Sequence, residues 1–160
     1  MNGPSQSDPP AAGVVVTEVT VATPEIVEAL STLVPQLSSS APAPTHADIA
    51  AIAASPATVL LVARDDRGTI VGSLTLVVFR APTGPRAWIE DVVVDTSTRG
   101  QGIGAALVDE ALQRATSAGA RTVDLTSRPS REAANRLYVR LGFEQRTTNV
   151  YRWSDTAGDG

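Results

Sequence analysis

Apolar residues recur along this chain with two different periods, and those periods predict most of its helices and strands. The clearest example runs from residue 92 to residue 115. Val92-Val93-Val94 is a short β-branched run that predicts a buried strand. A glycine-rich turn and an apolar stripe at helical spacing follow, so we expect strand, turn and helix in that order. The stripe consists of Leu107, Val108, Ala111, Leu112 and Ala115.

The whole pattern predicts the order β, α, α, β, β, β, α, β, α, β. Two helices precede the central strands, and Thr23 and Thr45 are their expected N-caps. A last helix is expected from Ser130 to a C-cap at Gly142, and Leu141–Glu144 is expected to begin a final strand. The other strands are predicted at residues 14–21, 58–63, 69–79, 86–95 and 121–127.

The glycine-rich turn is expected to bind a diphosphate. Glycine lets the backbone approach a ligand closely, and a helix N-terminus offers unpaired N–H groups. A P-loop is excluded because it needs a lysine and the chain has none. A dinucleotide-binding turn fits Gly100, Gly102 and Ala105, with Asp124 about 20 residues downstream, but five residues, Asp95–Arg99, separate the strand from the first glycine.

A third interpretation of the turn depends on a second motif downstream. The motif is Leu137-Tyr138-Val139-Arg140-Leu141-Gly142-Phe143. With Arg99, Gly102 and Gly104 of the turn, it closely resembles the two signature motifs of the GNAT superfamily of acetyl-CoA-dependent N-acetyltransferases. The resemblance covers about residues 14–153. It implies an α/β (α+β type) fold, with a mixed central β-sheet of six to seven strands flanked by about four helices.

The same resemblance implies acetyl-CoA as cosubstrate and a set of residues that bind it. In that family the pantetheine arm pairs with the central strand like an added strand. Many relatives have asparagine where this chain has Arg131; Asn135 either takes over that contact or is an ordinary surface residue. The expected cofactor-binding residues are Val92, Val93, Val94, Arg99, Gly100, Gln101, Gly102, Ile103, Gly104, Ala105, Arg131 and Asn135.

Acetyl transfer to an amine needs a base, a stabilised oxyanion and an acid. Glu90 is the candidate base, directly or through water, because a carboxylate in a mostly apolar strand is costly to bury without a purpose or a partner. It could instead be solvated or paired with an arginine. Tyr138 is the candidate acid by resemblance, and its helical spacing also fits core packing. A main-chain N–H near Val92 or Val93 is the expected oxyanion donor.

The acceptor is expected to be a small primary amine. The segments Trp88–Val92 and Leu33–Ser38 resemble the glucosamine-phosphate N-acetyltransferase branch, which suggests an amino-sugar phosphate. Arg128 could hold its anionic group, contact cofactor phosphates or face water, and Asp91 is a second candidate substrate contact. The alternatives are a non-catalytic acyl-CoA-binding or sensing domain, and an acetyltransferase acting on a protein N-terminus or an antibiotic.

Length, composition and charge bear on the number of domains, on metal binding and on the kinds of partner. The 160 residues are expected to form one domain, residues 13–153, between disordered tails at residues 1–12 and 154–160. With no cysteine and His46 as the single histidine, no metal site is expected, and a cytoplasmic location fits. A net charge of −4 argues against nucleic-acid binding, and no apolar run could span a membrane. The resemblance allows a homodimer.

Overall fold

The computed structural model describes residues 13–155, and its central feature is one mixed five-stranded sheet. The first four strands are antiparallel neighbours, and the fifth lies parallel to the fourth. The predicted tail at residues 1–12 and residues 156–160 of the other tail lie outside the described range. The strands are β1 (Val15–Glu18), β2 (Thr58–Arg64), β3 (Ile70–Ala81), β4 (Gly84–Val94) and β5 (Val123–Asp124).

Within the described residues four α-helices flank this sheet, as expected. Thr23 caps the first helix by accepting a hydrogen bond from the Ile26 N–H, and Thr45 forms a reciprocal capping box with Asp48. Both predicted N-caps are therefore confirmed. No helix within residues 13–155 is long and apolar enough to cross a membrane. The helices are α1 (Pro24–Leu37), α2 (His46–Ala54), α3 (Ile103–Ser117) and α4 (Glu132–Arg140).

Each face of the sheet has its own apolar core. On one face, which we call the α3 face, α3 buries Ile103, Leu107, Val108 and Ala111 against β2, β3 and β4. On the opposite face, the α1–α2 face, the two early helices cover the sheet with a second cluster. That cluster contains Ile26, Leu30, Leu33, Ile49, Leu60, Val62, Ile70 and Val93.

A β-bulge interrupts β4 close to its C-terminal end. Glu90 lies opposite Thr75 on β3, whereas Val93 lies opposite Ser73. Leu74 of β3 therefore faces two residues of β4, Asp91 and Val92. The backbone of Asp91 has a positive φ of 52°. The extra residue reverses the alternation of side chains, so Val92 and Val94 pack on the α3 face and Val93 on the other.

The expected count of six to seven strands is wrong for residues 13–155, and the final strand is the main reason. Helix α4 ends in a Schellman motif, in which the Phe143 N–H donates to the Tyr138 carbonyl and Gly142 has φ 92°. Residues 143–155 then make no strand pairing. Residues 144–149 are all polar, so pairing them would bury no apolar face. Beyond them, Tyr151 and Trp153 are 86% and 84% exposed.

Close packing of α3 on the sheet depends on Gly72 of β3. A Cβ placed there would lie 2.9 Å from Ile103 Cγ2, 3.0 Å from Leu107 Cδ1 and 3.2 Å from the Val93 carbonyl oxygen. The contact with Ile103 is shorter than real Cβ atoms make, and the other two would require Leu107 and the Val93 backbone to move by a few tenths of an ångström. The missing side chain at position 72 therefore sets how near the start of α3 lies to the end of β4.

We expect Gly72→Ala to destabilise the fold by about 1–3 kcal/mol, because an added methyl group would overpack this contact. Urea unfolding followed by circular dichroism measures the effect. Gly104→Ala is the matched control. Its Cβ would meet mainly the end of the flexible Leu137 side chain, at 3.1 Å, and the better helix propensity of alanine offsets that contact. Equal stability of the wild type and Gly72→Ala would contradict this account of the packing.

Candidate active site

The C-terminal half of β4 has an edge with no neighbouring strand. β5 pairs only with Ala87 and Trp88, and within residues 13–155 no other strand joins that side of β4. The Asp95 N–H donates to the Val71 carbonyl on the β3 side, at 2.8 Å. Strand alternation therefore turns the backbone groups of Val92 and Val94 toward the open edge. An extended ligand can pair with the backbone there.

The glycine-rich turn follows this edge directly. A short 3₁₀ turn, Thr96–Thr98, leads into Gly100 and Gly102, which have φ values of 80° and 75°. Gly102 is the N-cap of α3 and has no side chain that could cap the helix. The first N–H groups of α3 have no intrahelical acceptor, and here they have no acceptor from the N-cap side chain either. Glycine at both positions leaves the backbone open to an anion. The N–H groups that fit a diphosphate belong to Ile103, Gly104 and Ala105.

Two polar side chains of the turn are open to solvent. Arg99 and Gln101 are both exposed, and the Arg99 guanidinium makes no ion pair with any residue between 13 and 155. Gly104 lies against Leu137 of α4, which brings α4 close to the start of α3. The motif at Leu137–Phe143 is therefore brought next to the glycine-rich turn, although many residues separate the two in sequence.

Tyr138 lies on α4 and packs against the core of the α3 face. Its ring meets the ring of Phe143 edge to face, with 5.8 Å between the ring centroids. Burial raises the pKa of the Tyr138 phenol above its ordinary value, and the positive charge of Arg131 opposes that shift only in part. The phenol is therefore protonated at neutral pH and can donate a proton. Core packing and an acid role are both consistent with this position.

Glu90 lies on the opposite face of the sheet from Tyr138. It pairs with Thr75 and shares the α1–α2 face with Val93, and its carboxylate is exposed. The indole N–H of Trp88 donates to Glu90 Oε1 at 2.7 Å. This hydrogen bond fixes the orientation of the carboxylate, which is nevertheless in contact with solvent. The open edge of β4 therefore separates the α1–α2 face, where Glu90 lies, from the α3 face, where Tyr138 lies. Asp91 lies at the bulge beside Glu90 and is exposed.

The end of α1 joins the turn to α4, which the sequence did not indicate. The Gln36 side-chain oxygen accepts a hydrogen bond from the Thr96 N–H at 2.9 Å, and the Leu37 carbonyl accepts one from Arg131 Nη2 at 2.9 Å. These two bonds link residues 60 and 94 positions apart. A single glutamine near a helix end carries no motif, and the same is true of Trp88 as a partner of Glu90.

The structure also shows what the remaining candidates contact. Arg131 is the N-cap of α4 and already donates to Leu37, and Asn135 donates to the Arg128 carbonyl at 3.1 Å. Asn135 therefore holds the loop before α4 in place. The Arg128 side chain is exposed and makes no ion pair within the described part of the chain. His46 is an exposed residue at the start of α2.

The sequence is similar to proteins of one known family. A model of the Acetyltransferase (GNAT) family matches residues 25–143. A mycothiol acetyltransferase of Propionibacterium freudenreichii is 34% identical over 91 residues, which are 57% of this chain and 29% of that protein. The chain thus matches less than a third of the length of this curated relative.

Solved structures share the fold over nearly the whole described chain. A structure named as an acetyltransferase, from Agrobacterium tumefaciens, has a TM-score of 0.77 and 27% identity, covering 88% of this chain and 99% of its own. AAC(6')-Iy, solved with the bisubstrate analogue CoA-S-monomethyl-acetylneamine, has a TM-score of 0.75, covers 90% of this chain and 99% of its own, and at 19% identity shares the fold alone. The family match extends over most of the sequence and contains both the turn and the Tyr138 motif, and on that basis the chain belongs to the Acetyltransferase (GNAT) family.

Proposed function

We propose that this chain transfers the acetyl group of acetyl-CoA to the primary amine of a small molecule, by direct attack within a ternary complex. One observation carries the proposal: the uncapped N-terminus of α3 follows directly on the unpaired edge of β4. The N-terminus of α3 can therefore bind a diphosphate while the edge of β4 binds the extended pantetheine arm of the same molecule. The family uses acetyl-CoA, and a structural neighbour was solved with a coenzyme A analogue.

The residues of the turn fit the phosphate end of that cosubstrate. The N–H groups of Ile103, Gly104 and Ala105 would bind the diphosphate, and Arg99 would add a mobile positive charge. The backbone of Val92 and Val94 would pair with the arm. The bound cosubstrate supplies an acyl group activated as a thioester. Gly100, Gln101 and Gly102 shape the turn, while Val93 packs away from it in the core of the α1–α2 face.

Glu90 and Tyr138 would act on the two opposite sides of the reacting carbon. Glu90 takes the proton of the amine, directly or through one water, so that the nitrogen lone pair can form the new C–N bond. A main-chain N–H of Val92 stabilises the charge that develops on the carbonyl oxygen. Tyr138 gives its proton to the sulfur as the C–S bond breaks. Their placement on opposite faces suits an amine that enters from one face and a thiolate that leaves toward the other.

The acceptor proposed here is a small amine, with an amino-sugar phosphate as the first candidate. Arg128 supports an anionic group on the acceptor, because its side chain is exposed on a loop that Asn135 holds in place. Asp91 and Glu90 supply negative charge for an ammonium group. The relative named mycothiol acetyltransferase and the acetylneamine analogue both point toward small-molecule acceptors. A cytoplasmic location and a homodimer stay predictions.

The activity is tested by release of free coenzyme A thiol from acetyl-CoA over a panel of amines. The panel is led by amino sugars, their phosphates, aminoglycosides and polyamines, and includes an N-terminal peptide. We expect turnover with at least one small amine. Binding of acetyl-CoA without turnover on any amine would favour the acyl-CoA-sensing alternative, and stabilisation by NAD alone would contradict the proposal.

We expect Tyr138→Phe and Glu90→Gln each to lower kcat by about 10²-fold, because each removes one proton-transfer group. The dissociation constant for acetyl-CoA should change little, since neither side chain is placed at the diphosphate. Steady-state kinetics and calorimetry separate the two effects. Glu132→Gln, at an exposed residue of α4, is the control and should leave both unchanged. Wild-type kcat in Tyr138→Phe would reduce that tyrosine to a packing role.

We expect Gly102→Val to raise the dissociation constant for acetyl-CoA at least tenfold, because a β-branched residue is strained at φ 75° and its side chain covers the N–H groups. Isothermal titration calorimetry measures the affinity, and circular dichroism checks the fold. Gln113→Ala, at an exposed residue of α3 far from its N-terminus, is the control and should bind as well as the wild type. An unchanged affinity in Gly102→Val would remove the turn from the binding site.

The pKa of Tyr138 predicts a late ionisation. The phenolate absorbance that the wild type shows and Tyr138→Phe lacks should rise at a higher pH in the folded protein than in the unfolded chain. Between those two pKa values the unfolded chain has lost the proton and the folded chain keeps it. Stability should therefore fall as the pH rises through that interval. Ionisation at or below the ordinary tyrosine pKa would show that the phenol is not buried in solution.

A further inference from the structure

Trp88 and Glu90 lie on the same face of the sheet, two residues apart on β4. Ala87 and Ile89 point into the core of the α3 face, so the residues that alternate with them point to the α1–α2 face. Trp88 lies opposite Val77 of β3 and is half-buried, whereas Glu90 is exposed. The two side chains are therefore neighbours on a regular stretch of strand, before the bulge begins.

The carboxylate of Glu90 is held through one of its two oxygens. Trp88 Nε1 donates to Glu90 Oε1 at 2.7 Å, and no arginine of residues 13–155 forms an ion pair with this carboxylate. An indole N–H is a single donor, so it engages Oε1 and leaves Oε2 available. An exposed glutamate side chain otherwise samples many rotamers, and a charge-assisted hydrogen bond selects among them. The indole therefore determines where Oε2 points.

We propose that Trp88 is a positioning residue for acetyl transfer: its indole N–H holds Oε1 of Glu90 so that Oε2 meets the attacking amine. This inference rests on the proposed function, in which Glu90 is the base. The proton passes from the amine nitrogen to Oε2, directly or through one water, as the C–N bond forms. Trp88 keeps its own proton throughout. A base acts only within hydrogen-bond reach of the proton it removes, so a carboxylate that rotates freely is in place less often.

The test is a double-mutant cycle of Trp88→Phe and Glu90→Gln. Phenylalanine keeps an aromatic ring on the sheet and removes the N–H. In the wild-type background Trp88→Phe should lower kcat about 3- to 10-fold, as expected for one lost hydrogen bond, and leave the KM for acetyl-CoA unchanged. In the Glu90→Gln background the same change should lower kcat no further, because the base that the indole positions is already absent. A packing role would lower kcat by the same factor in both backgrounds.

The second tryptophan of the chain supplies a matched control and a second measurement. Trp153→Phe makes the same substitution at an exposed residue and should keep the wild-type kcat. It also leaves Trp88 as the sole tryptophan, so fluorescence then reports on the indole directly. With coenzyme A bound, the panel amine that turns over fastest should shift this emission, and Glu90→Gln should abolish the shift. An emission that does not respond to the amine would overturn the inference, and this measurement does not need Trp88→Phe to fold.

The kinetic outcomes distinguish this inference from the proposed function. Wild-type kcat in Trp88→Phe, together with a low kcat in Glu90→Gln, would overturn the positioning role and leave Glu90 as the base. Equal losses of kcat in both backgrounds of the cycle would do the same. Failure of the wild type to acetylate any amine of the panel would instead overturn the proposed function itself.

Discussion

Backbone N–H and C=O groups inside a protein need partners, and β4 carries a row of them that no strand of the described chain satisfies. The row exists because β5 pairs with only two residues of β4 before the two diverge. An open strand edge of this kind is a template for pairing with another extended segment. The site we describe is built around that edge, and its other parts are arranged along it: the turn at one end, and Glu90 and Tyr138 on either side.

The second constraint is the short distance between α3 and the sheet. Gly72 leaves room for Ile103 and Leu107, so the start of the helix lies close against the end of β4. Gly104 is less constrained, because a side chain there would meet mainly the flexible end of Leu137. A diphosphate at the helix N-terminus and an arm along β4 are parts of one molecule, so the spacing between the two binding surfaces has to match it. The missing side chain of Gly72 sets that spacing.

Local chemistry made much of the fold predictable from sequence. Thr23 and Thr45 have the right side chains at the right positions to cap helices, and Gly100 and Gly102 stand where a turn needs positive φ. The final strand was not predictable in this way. Phe143 begins a segment that looks like a strand for one or two residues, and the polar residues after it then give no reason to pair. Whether this segment pairs as a strand depends on whether pairing would bury apolar side chains, and not on the local propensity of Phe143.

The site was predictable where a motif carries it and not where long-range contacts complete it. The hydrogen bonds of Gln36 and Arg131 to distant backbone groups have no sequence pattern, because each depends on where two separate elements come to lie. The bulge was equally hidden. Asp91 is the added residue, which the alternation of side chains along β4 does not reveal, and its positive φ is unusual for a residue with a side chain.

That added residue has a consequence for how this sequence can vary. If Asp91 were kept and β4 alternated without the bulge, the aspartate would point into the core beneath α3, and the valines at 92 to 94 would exchange faces. The bulge keeps that carboxylate out of the core and leaves each valine on the face where it packs. Deleting position 91 would restore regular alternation and leave Val92, Val93 and Val94 on their present faces. A deletion of one of these valines would instead move the valines that follow it to the wrong core, so the length of β4 is constrained on the C-terminal side of the bulge and not at the aspartate itself.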